Sequence, residues 1–395
     1  MSWRSCRIKD VASIISQKSD NLALPYIALD NIISWDGSFV PSDSASDGNS
    51  NLCAAGDVLF GKLRPYLAKG YIPNEDSLCS PEFIVLRPLA DTNNKFLLYF
   101  LLSPQYIGYI RNQVAGTKMP RTNASQVGAS DIKIPSKFEQ EAIAAYLDKE
   151  CEKIGREIEL LERKADSYRR LRRSLINRAV TRGLNPNVPM KPSGLRWVPN
   201  IPEHWNVGRV RNYFNFRNEK VSEIDSPPLS VTKNGVVPQM DNVAKSMAEG
   251  DTRKKVCKND FVVNSRSDRK GSCGTSPLDG SVSLIYIVLE PTHIDPAFAN
   301  YYFRCNDWIE EFYRNGKGIV ADLWTTNYSA MRNIEIAVPE ISEQNEIAAY
   351  LDDKCGKIDA IVEKIETKIE RLKQLKRSLI NEVVTGQRAI NTSLS

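Results

Sequence analysis

Glu139-Gln140-Glu141-Ala142-Ile143-Ala144-Ala145-Tyr146-Leu147-Asp148 is written a second time, 204 residues further on, as Glu343-Gln344-Asn345-Glu346-Ile347-Ala348-Ala349-Tyr350-Leu351-Asp352. The match continues without a gap through Cys151/Cys355 and Lys153/Lys357. It closes on Ser174-Leu175-Ile176-Asn177 against Ser378-Leu379-Ile380-Asn381 and Val180-Thr181 against Val384-Thr385. About half of the aligned positions are identical, far above chance, so the chain is one half-unit written twice. Both copies keep a 4-3 alternation of apolar residues: Leu147, Cys151, Ile154, Ile158, Leu161, Ala165, Tyr168 and Leu175, then Leu351, Cys355, Ile358, Val362, Ile365, Ile369, Leu372 and Leu379. An average spacing of about 3.5 is a coiled-coil seam. The simplest partner for each seam is the other one. One polar step interrupts each at the same place, Arg172 and Lys376.

Outward from the repeat, Gly183 ends the first helix, and Pro186, Pro189, Pro192, Pro199 and Pro202 forbid its resumption. Trp197-Val198-Pro199-Asn200-Ile201-Pro202-Glu203-His204-Trp205 opens a new domain. The chain therefore divides into a globular domain (1–138), a long helix (139–182), a linker with a second globular domain (183–342), a second long helix (343–387) and a tail (388–395). Asp57-Val58-Leu59-Phe60, Phe83-Ile84-Val85-Leu86, Phe261-Val262-Val263 and Ser283–Leu289 read as strands, and Asn94–Ser103 and Pro296–Arg314 as helices. The fold class is α+β, with the two globular domains alternating with the two helices in a pseudo-two-fold repeat.

The chain has 395 residues and a net charge of +5, which permits nucleic-acid binding without demanding it. No apolar run is long enough to span a bilayer, and Met1–Arg7 lacks the apolar core of a signal peptide, so a cytoplasmic protein is expected. Eight cysteines carry no CxxC pair, which argues for buried thiols and against zinc or a disulfide framework.

Two basic loops recur in each globular part. In the first they are Gly61–Lys69, with Lys62, Arg64 and Lys69, and Gly116–Asn123, with Lys118, Arg121 and Asn123. In the second they are Asn264–Gly271, with Arg266, Arg269 and Lys270, and Asn315–Gly318, with Lys317, running on to Thr325-Thr326-Asn327. Lys and Arg neutralise phosphates, while Arg, Asn, Ser and Thr read base edges, so these ten residues are the candidate DNA contacts. Any one of them singly is as well explained as a solvated loop residue; their paired recurrence carries the reading. The basic run Arg163–Arg178 on the first helix is assigned to solvent or a partner protein.

Catalytic equipment is missing. Only two histidines occur, His204 and His293, in connecting segments. There is no GxxxxGK[ST] loop, no GxGxxG after a strand, and Pro227-Pro228 is followed by Leu229 rather than the aromatic residue of an amino-methyltransferase signature. Asp131-Ile132-Lys133 has the acid-x-Lys form of a nuclease site without an upstream acidic partner. No catalytic and no metal-ligating residue is expected.

The chain resembles the specificity subunits of type I restriction–modification systems. The resemblance rests on the two Glu-Gln-x-x-Ile-Ala-Ala-Tyr-Leu-Asp starts and the ends Arg173-Ser174-Leu175-Ile176 and Arg377-Ser378-Leu379-Ile380. It rests equally on Gly56–Pro65, on Gly116-Thr117-Lys118-Met119-Pro120-Arg121 and on Ile201–Trp205. The second domain departs from the pattern, with Asp260-Phe261-Val262-Val263-Asn264 in place of a Gly-Asp-Val-Leu-Phe strand and no Met-Pro-Arg after Gly318. The resemblance implies that each globular domain reads one half of a split site in double-stranded DNA. It implies that the two helices pair antiparallel as a ruler, with Leu147, Cys151, Ile154, Ile158 and Leu161 packing with Leu351, Cys355, Ile358, Val362 and Ile365. It implies two modification subunits carrying S-adenosylmethionine, and restriction subunits using ATP and Mg, with no cofactor on this chain. Lengthening near Thr181-Arg182-Gly183 is then expected to widen the gap between half-sites. The rival readings are a coiled-coil scaffold without DNA specificity, and a nuclease or methyltransferase with unrecognised motifs.

Overall fold

The computed structural model describes residues 3–19, 21–44, 50–114, 119–239, 252–317 and 325–390. The chain divides into two compact units, Met1–Glu162 with Ile365–Ser395, and Arg163–Lys364. In the first, a four-stranded antiparallel sheet runs in the order Ala12–Ile15, Phe83–Pro88, Val58–Gly61, Gly70–Tyr71. A second sheet is built from Lys18–Ser19, Ser50–Cys53, Ser77–Cys79 and Tyr26–Ile27, the last pair parallel. Arg4–Arg7 pairs with Asp131–Ile134, which places Asp131 and Lys133 on a two-stranded ribbon. Three short helices follow from local capping: Asn93 caps Asn94–Leu101, Ser103 caps Pro104–Gln113 with proline at the first turn, and Asn123 caps Ala124–Ala129 in a reciprocal box with Gln126.

The second unit repeats this order with Phe214–Phe216, Ile287–Pro291, Phe261–Val263 and Cys273–Thr275 in one sheet and Asn206–Arg209 paired to Glu335–Val338. Lys220–Val221, Arg253–Val256 and Gly280–Ser283 form a second sheet, and Leu229–Thr232 with Gly235–Pro238 a hairpin. Two sequence expectations fail here. Pro296–Arg314 is not one helix but two, Pro296–Tyr302 and Asn306–Arg314, because the chain turns extended at Cys305. Ser283–Leu289 is not one strand; it breaks at residues 284–286, where Ser265 Oγ and Lys254 Nζ donate to the carbonyls of Ile285 and Tyr286 and so satisfy a turn in place of a ladder.

The long helices span Lys137–Arg182 and Ile341–Val384. Ser136 Oγ accepts from the Glu139 amide to start the first, and Gly183, at φ +71°, ends it in the left-handed conformation. Each unit takes a stretch of both. In the first unit Ile143, Leu147 and Cys151 share a core with Leu379, Ile380, Val383 and Val384, and Glu157 meets Lys368 at 2.7 Å. In the second, Ile176, Ala179 and Val180 share a core with Ile347, Ala348, Leu351 and Cys355, and Arg172 meets Asp359 at 3.0 Å. Within each unit the paired stretches therefore run antiparallel. Of the predicted seam, Leu147, Cys151, Leu351, Cys355, Ile358, Val362 and Ile365 are buried, and Ile154, Ile158 and Leu161 half-buried. All eight cysteines are free and six are buried; burial pushes the Cys151 thiol up to about 11.

The residues shared by the two copies are those that seat a domain on its helix. Gln140, 1% exposed, accepts from the Asn93 amide at 2.8 Å and donates to the Asp91 and Pro135 carbonyls. Gln344, also 1% exposed, accepts from the Asp295 amide at 2.7 Å and donates to Pro339. Tyr99 donates to Asp148 and Tyr301 to Asp352. The indoles of Trp3 and Trp205 donate to Glu139 and Glu343, and His204 sits 2.8 Å from the same Glu343 carboxylate. Trp3 is thus the counterpart of the tryptophan that opens the second domain.

Because a buried backbone group left without a partner costs about 1–3 kcal/mol, Gln344→Ala is expected to destabilise the second unit by that amount. Urea unfolding followed by tryptophan fluorescence measures it; a loss below about 0.5 kcal/mol, the range of an ordinary surface change, would contradict the role given to this amide.

Candidate nucleic-acid interface

Each domain zips its two basic loops together through the backbone. In the first, the Arg64 amide donates to Pro120 at 2.8 Å, the Thr122 amide donates to Lys62 at 3.0 Å, and Leu63 bridges Arg121. In the second, the Thr326 amide donates to Ser265 at 3.1 Å, and Arg266 and Lys317 both bridge Thr325. Thr122 and Thr326 are buried, and Asn123 and Asn327 immediately after them cap the next short helix. Sequence reading had Thr326-Asn327 beside the second loop without recognising Thr122-Asn123 as its copy; the 204-residue offset of the helices, carried back to the loops, is the signal that finds it.

The candidate residues divide by what their side chains already do. Lys62 Nζ donates to the Pro81 carbonyl and Lys69 Nζ to Leu29, each at 2.6 Å, so both brace the loop from beneath. Burial pulls Lys62 below the ordinary lysine range, against the opposing pull of Glu82. Arg121 is exposed and reaches Glu82 at 3.1 Å. Asn123 spends its side-chain oxygen on the Gln126 amide. Arg64 is exposed, at φ +48° ahead of Pro65, and no side-chain partner is found for it among the described residues. Exposed Tyr66 and Met119 flank it in sequence and across the zipped loops. Lys118 and Gly116 lie outside the described residues, as does Gly318.

In the second domain Arg266 and Arg269 share Asp268, at 3.1 and 3.7 Å, and Lys270 pairs with Glu310 at 2.7 Å. Exposed pairs of this kind are worth little and exchange readily for a phosphate. Lys317 is exposed, its backbone bridged to Thr325. Behind the loops, each central strand is preceded by a buried aspartate: Asp57 takes a two-point bond from Arg87, and Asp260 one from Arg217. The two also cap their own turns, at the Ala54 and Cys257 amides, so Asp260–Asn264 folds as Asp57–Gly61 does despite its different sequence. The arrangement presents arginine and lysine donors on braced loops. Among the described residues no group of three or more His, Cys, Asp or Glu is placed to hold a metal, and no helix is long and apolar enough to cross a membrane.

Two α+β domains with matched basic loops, each seated on antiparallel stretches of two long helices, make up a duplicated architecture. Residues 2–163 match the family model of the type I restriction modification DNA specificity domain. The resemblance read from the sequence is borne out there. Over 155 residues the chain is 24% identical to the type I restriction enzyme EcoDI specificity subunit of Escherichia coli, covering 37% of this chain and 34%, about a third, of that one. A solved chain from work described as the structural basis of complex assembly and conformational transition of the type I R-M system has a TM-score of 0.75 at 17% identity, over 98% of both chains. The HsdS subunit from Thermoanaerobacter tengcongensis has a TM-score of 0.52 at 19% identity, over 98% of this chain and 97% of that one. These two are likenesses of fold.

The division of labour within the first loop is testable. Arg64→Ala is expected to leave stability within about 0.5 kcal/mol while weakening duplex binding by about 1–3 kcal/mol. Lys69→Ala, which removes one of the two donors to the Leu29 carbonyl and leaves the Ile32 amide at 3.3 Å, is expected to cost about 0.5–1.5 kcal/mol of stability. Parallel melting and binding curves check both; the opposite pattern would reverse the assignment.

Proposed function

We propose that this chain is the DNA sequence-specificity subunit of a type I restriction–modification assembly, reading a bipartite, gapped site and scaffolding the catalytic subunits without catalysing a step. The supporting observation is that each domain closes two basic loops into one surface by the same backbone ladder, Thr122 to Lys62 and Thr326 to Ser265. Duplicated readers suit two half-sites. On this reading Lys62, Arg64, Lys69, Arg121 and Asn123, with Lys118, form or brace the reader of one half-site, and Arg266, Arg269, Lys270 and Lys317 that of the other. Two modification subunits supply S-adenosylmethionine and the methyl transfer, and restriction subunits supply ATP- and Mg-dependent cleavage. On this reading the complex works on double-stranded DNA in the cytoplasm. The chain alone is expected to bind duplex DNA in a salt-dependent manner and neither cut nor methylate it; either activity in a preparation freed of partner subunits overturns the non-catalytic role.

The helices act as a ruler on this reading. Ile176 and Val180 belong to the second domain's core and Gly183 lies against Glu343 and Trp205. Lengthening near Thr181-Arg182-Gly183 would therefore disturb a docked end, and the insertion belongs in mid-helix. One heptad added to each helix, after Glu162 and before Ile365, keeps the seam and adds about 10 Å, or about three base pairs. Genome-wide mapping of methylated sites is expected to show a spacer longer by about that many pairs with half-site sequences unchanged. New half-site bases with the old spacer would refute the ruler.

A further inference from the structure

The polar step in the seam is answered differently in the two units. In the first, Lys376 Nζ lies 2.6 Å from the Asp36 carboxylate and the Arg377 guanidinium stacks over Trp35 at 4.6 Å. Burial works to raise Asp36, but the bonds from Lys376 and Ser38 and the charge of Lys376 hold its carboxyl below the usual value. The turn that delivers Trp35 and Asp36 packs Gly37, at φ +78°, against Leu98 and Leu102. The matching cavity, about 460 Å³, is lined by Asp36, Asp148 and Lys95.

In the second unit the same helix positions are Arg172 and Arg173. Asn300 and Arg304 stand where Leu98 and Leu102 stand, since their helix is capped by Asp295 as the other is by Asn93. The turn against them is the tip of the 229–238 hairpin, whose Gly235 abuts Gly274 beside Asn300. That tip offers Lys233 in place of an acid, and Arg304 donates to the Lys233 carbonyl at 2.8 Å. The result is a cavity of about 530 Å³ lined by Arg172, Arg173, Lys233, Lys270 and Arg304, with Glu310 as the one acid. Glu310 is taken by Lys270, and Arg172 is paired to Asp359 outside the lining. Arg173 and Lys233 have no acidic partner among the described residues.

Like charges gathered around a partly enclosed space repel one another more strongly than on open surface, and a multivalent anion relieves this. Planar guanidinium forks beside lysine and amide donors match phosphate oxygens. Lys270 belongs both to this cavity and to the second domain's basic loop, so the cations continue from the loop into the cavity. Resting on the DNA reading above, we infer that the cavity seats a backbone phosphate of the duplex bound by the second domain. The clamp is one-sided, because the first domain's counterpart carries Asp36 and Asp148, each already paired to a lysine, where the second carries cations unpaired among the described residues.

The test uses the full chain, a duplex carrying the mapped site, and a duplex with both half-sites scrambled. Arg173→Ala/Lys233→Ala is expected to weaken binding to both duplexes by the same factor, on the order of tenfold, and to lower the slope of log K against log salt by roughly 0.9 for each phosphate no longer neutralised. Arg173→Lys/Lys233→Arg is expected to restore both, which separates charge from folding. A neutral methylphosphonate walked one linkage at a time along the second domain's half-site is expected to find one position that weakens wild-type binding and has no further effect on the double-alanine variant. If the alanine variant matches wild type in affinity and slope, this inference alone falls. If it instead loses a modification subunit while its DNA slope holds, the cavity docks an acidic protein surface and the inference also falls. A wild-type chain that binds neither duplex brings down the DNA reading and the inference together.

Discussion

A glutamine amide buried at the first turn of each long helix fixes where a globular domain can sit. Gln140 and Gln344, each 1% exposed, answer a backbone amide at the start of their domain's first short helix and a carbonyl of the strand-to-helix turn. Amide geometry is directional, so an error in placement strands several groups at once. The aromatic and acidic partners on either side, Trp3 with Glu139 and Tyr99 with Asp148, repeat in the second unit as Trp205 with Glu343 and Tyr301 with Asp352. They turn one anchor into a line of anchors along one helix face.

The apolar core obeys the same constraint. Neither sheet is covered by its own short helices alone; the cover is completed by the start of one long helix and the end of the other. A domain of this size lacks enough apolar surface to discard any of it. The long helices are therefore structural parts of both domains, and changes made at their docked ends act on the fold before they act on spacing.

Duplication has kept the seat and released the rest. The buried aspartate before each central strand persists while its arginine comes from a different place, Arg87 in one unit and Arg217 in the other. The pairing is what the loop base requires; Arg87 supplies it from the adjacent strand and Arg217 from just past the edge strand of its sheet. In the niche beside the seam the divergence reaches charge itself, Leu98, Leu102 and Asp36 in one copy against Asn300, Arg304 and Lys233 in the other. The contacts that seat a domain on the helix ends stay alike, while the niche beside the seam does not.

The repeat, the heptad seam, the linker and the basic loops were legible in the sequence because periodicity and identity survive wherever many residues answer one partner. The helix break at Cys305 and the turn at 284–286 were not; at the turn, donors from the distant Lys254 and Ser265 side chains decided the conformation over local propensity. Nor did the sequence separate Arg64, which faces outward, from Lys62 and Lys69, which brace the loop; a lysine in a loop reads the same whether a carbonyl or solvent receives it. The pairing of Thr122 with Lys62, of Asp36 with Lys376, and of Arg173 with Lys233 around one cavity depends on chain crossings between residues 60 to 340 positions apart. Local pattern carries no information about such crossings, because hydrogen bonds and charges act through distance in space and not along the chain.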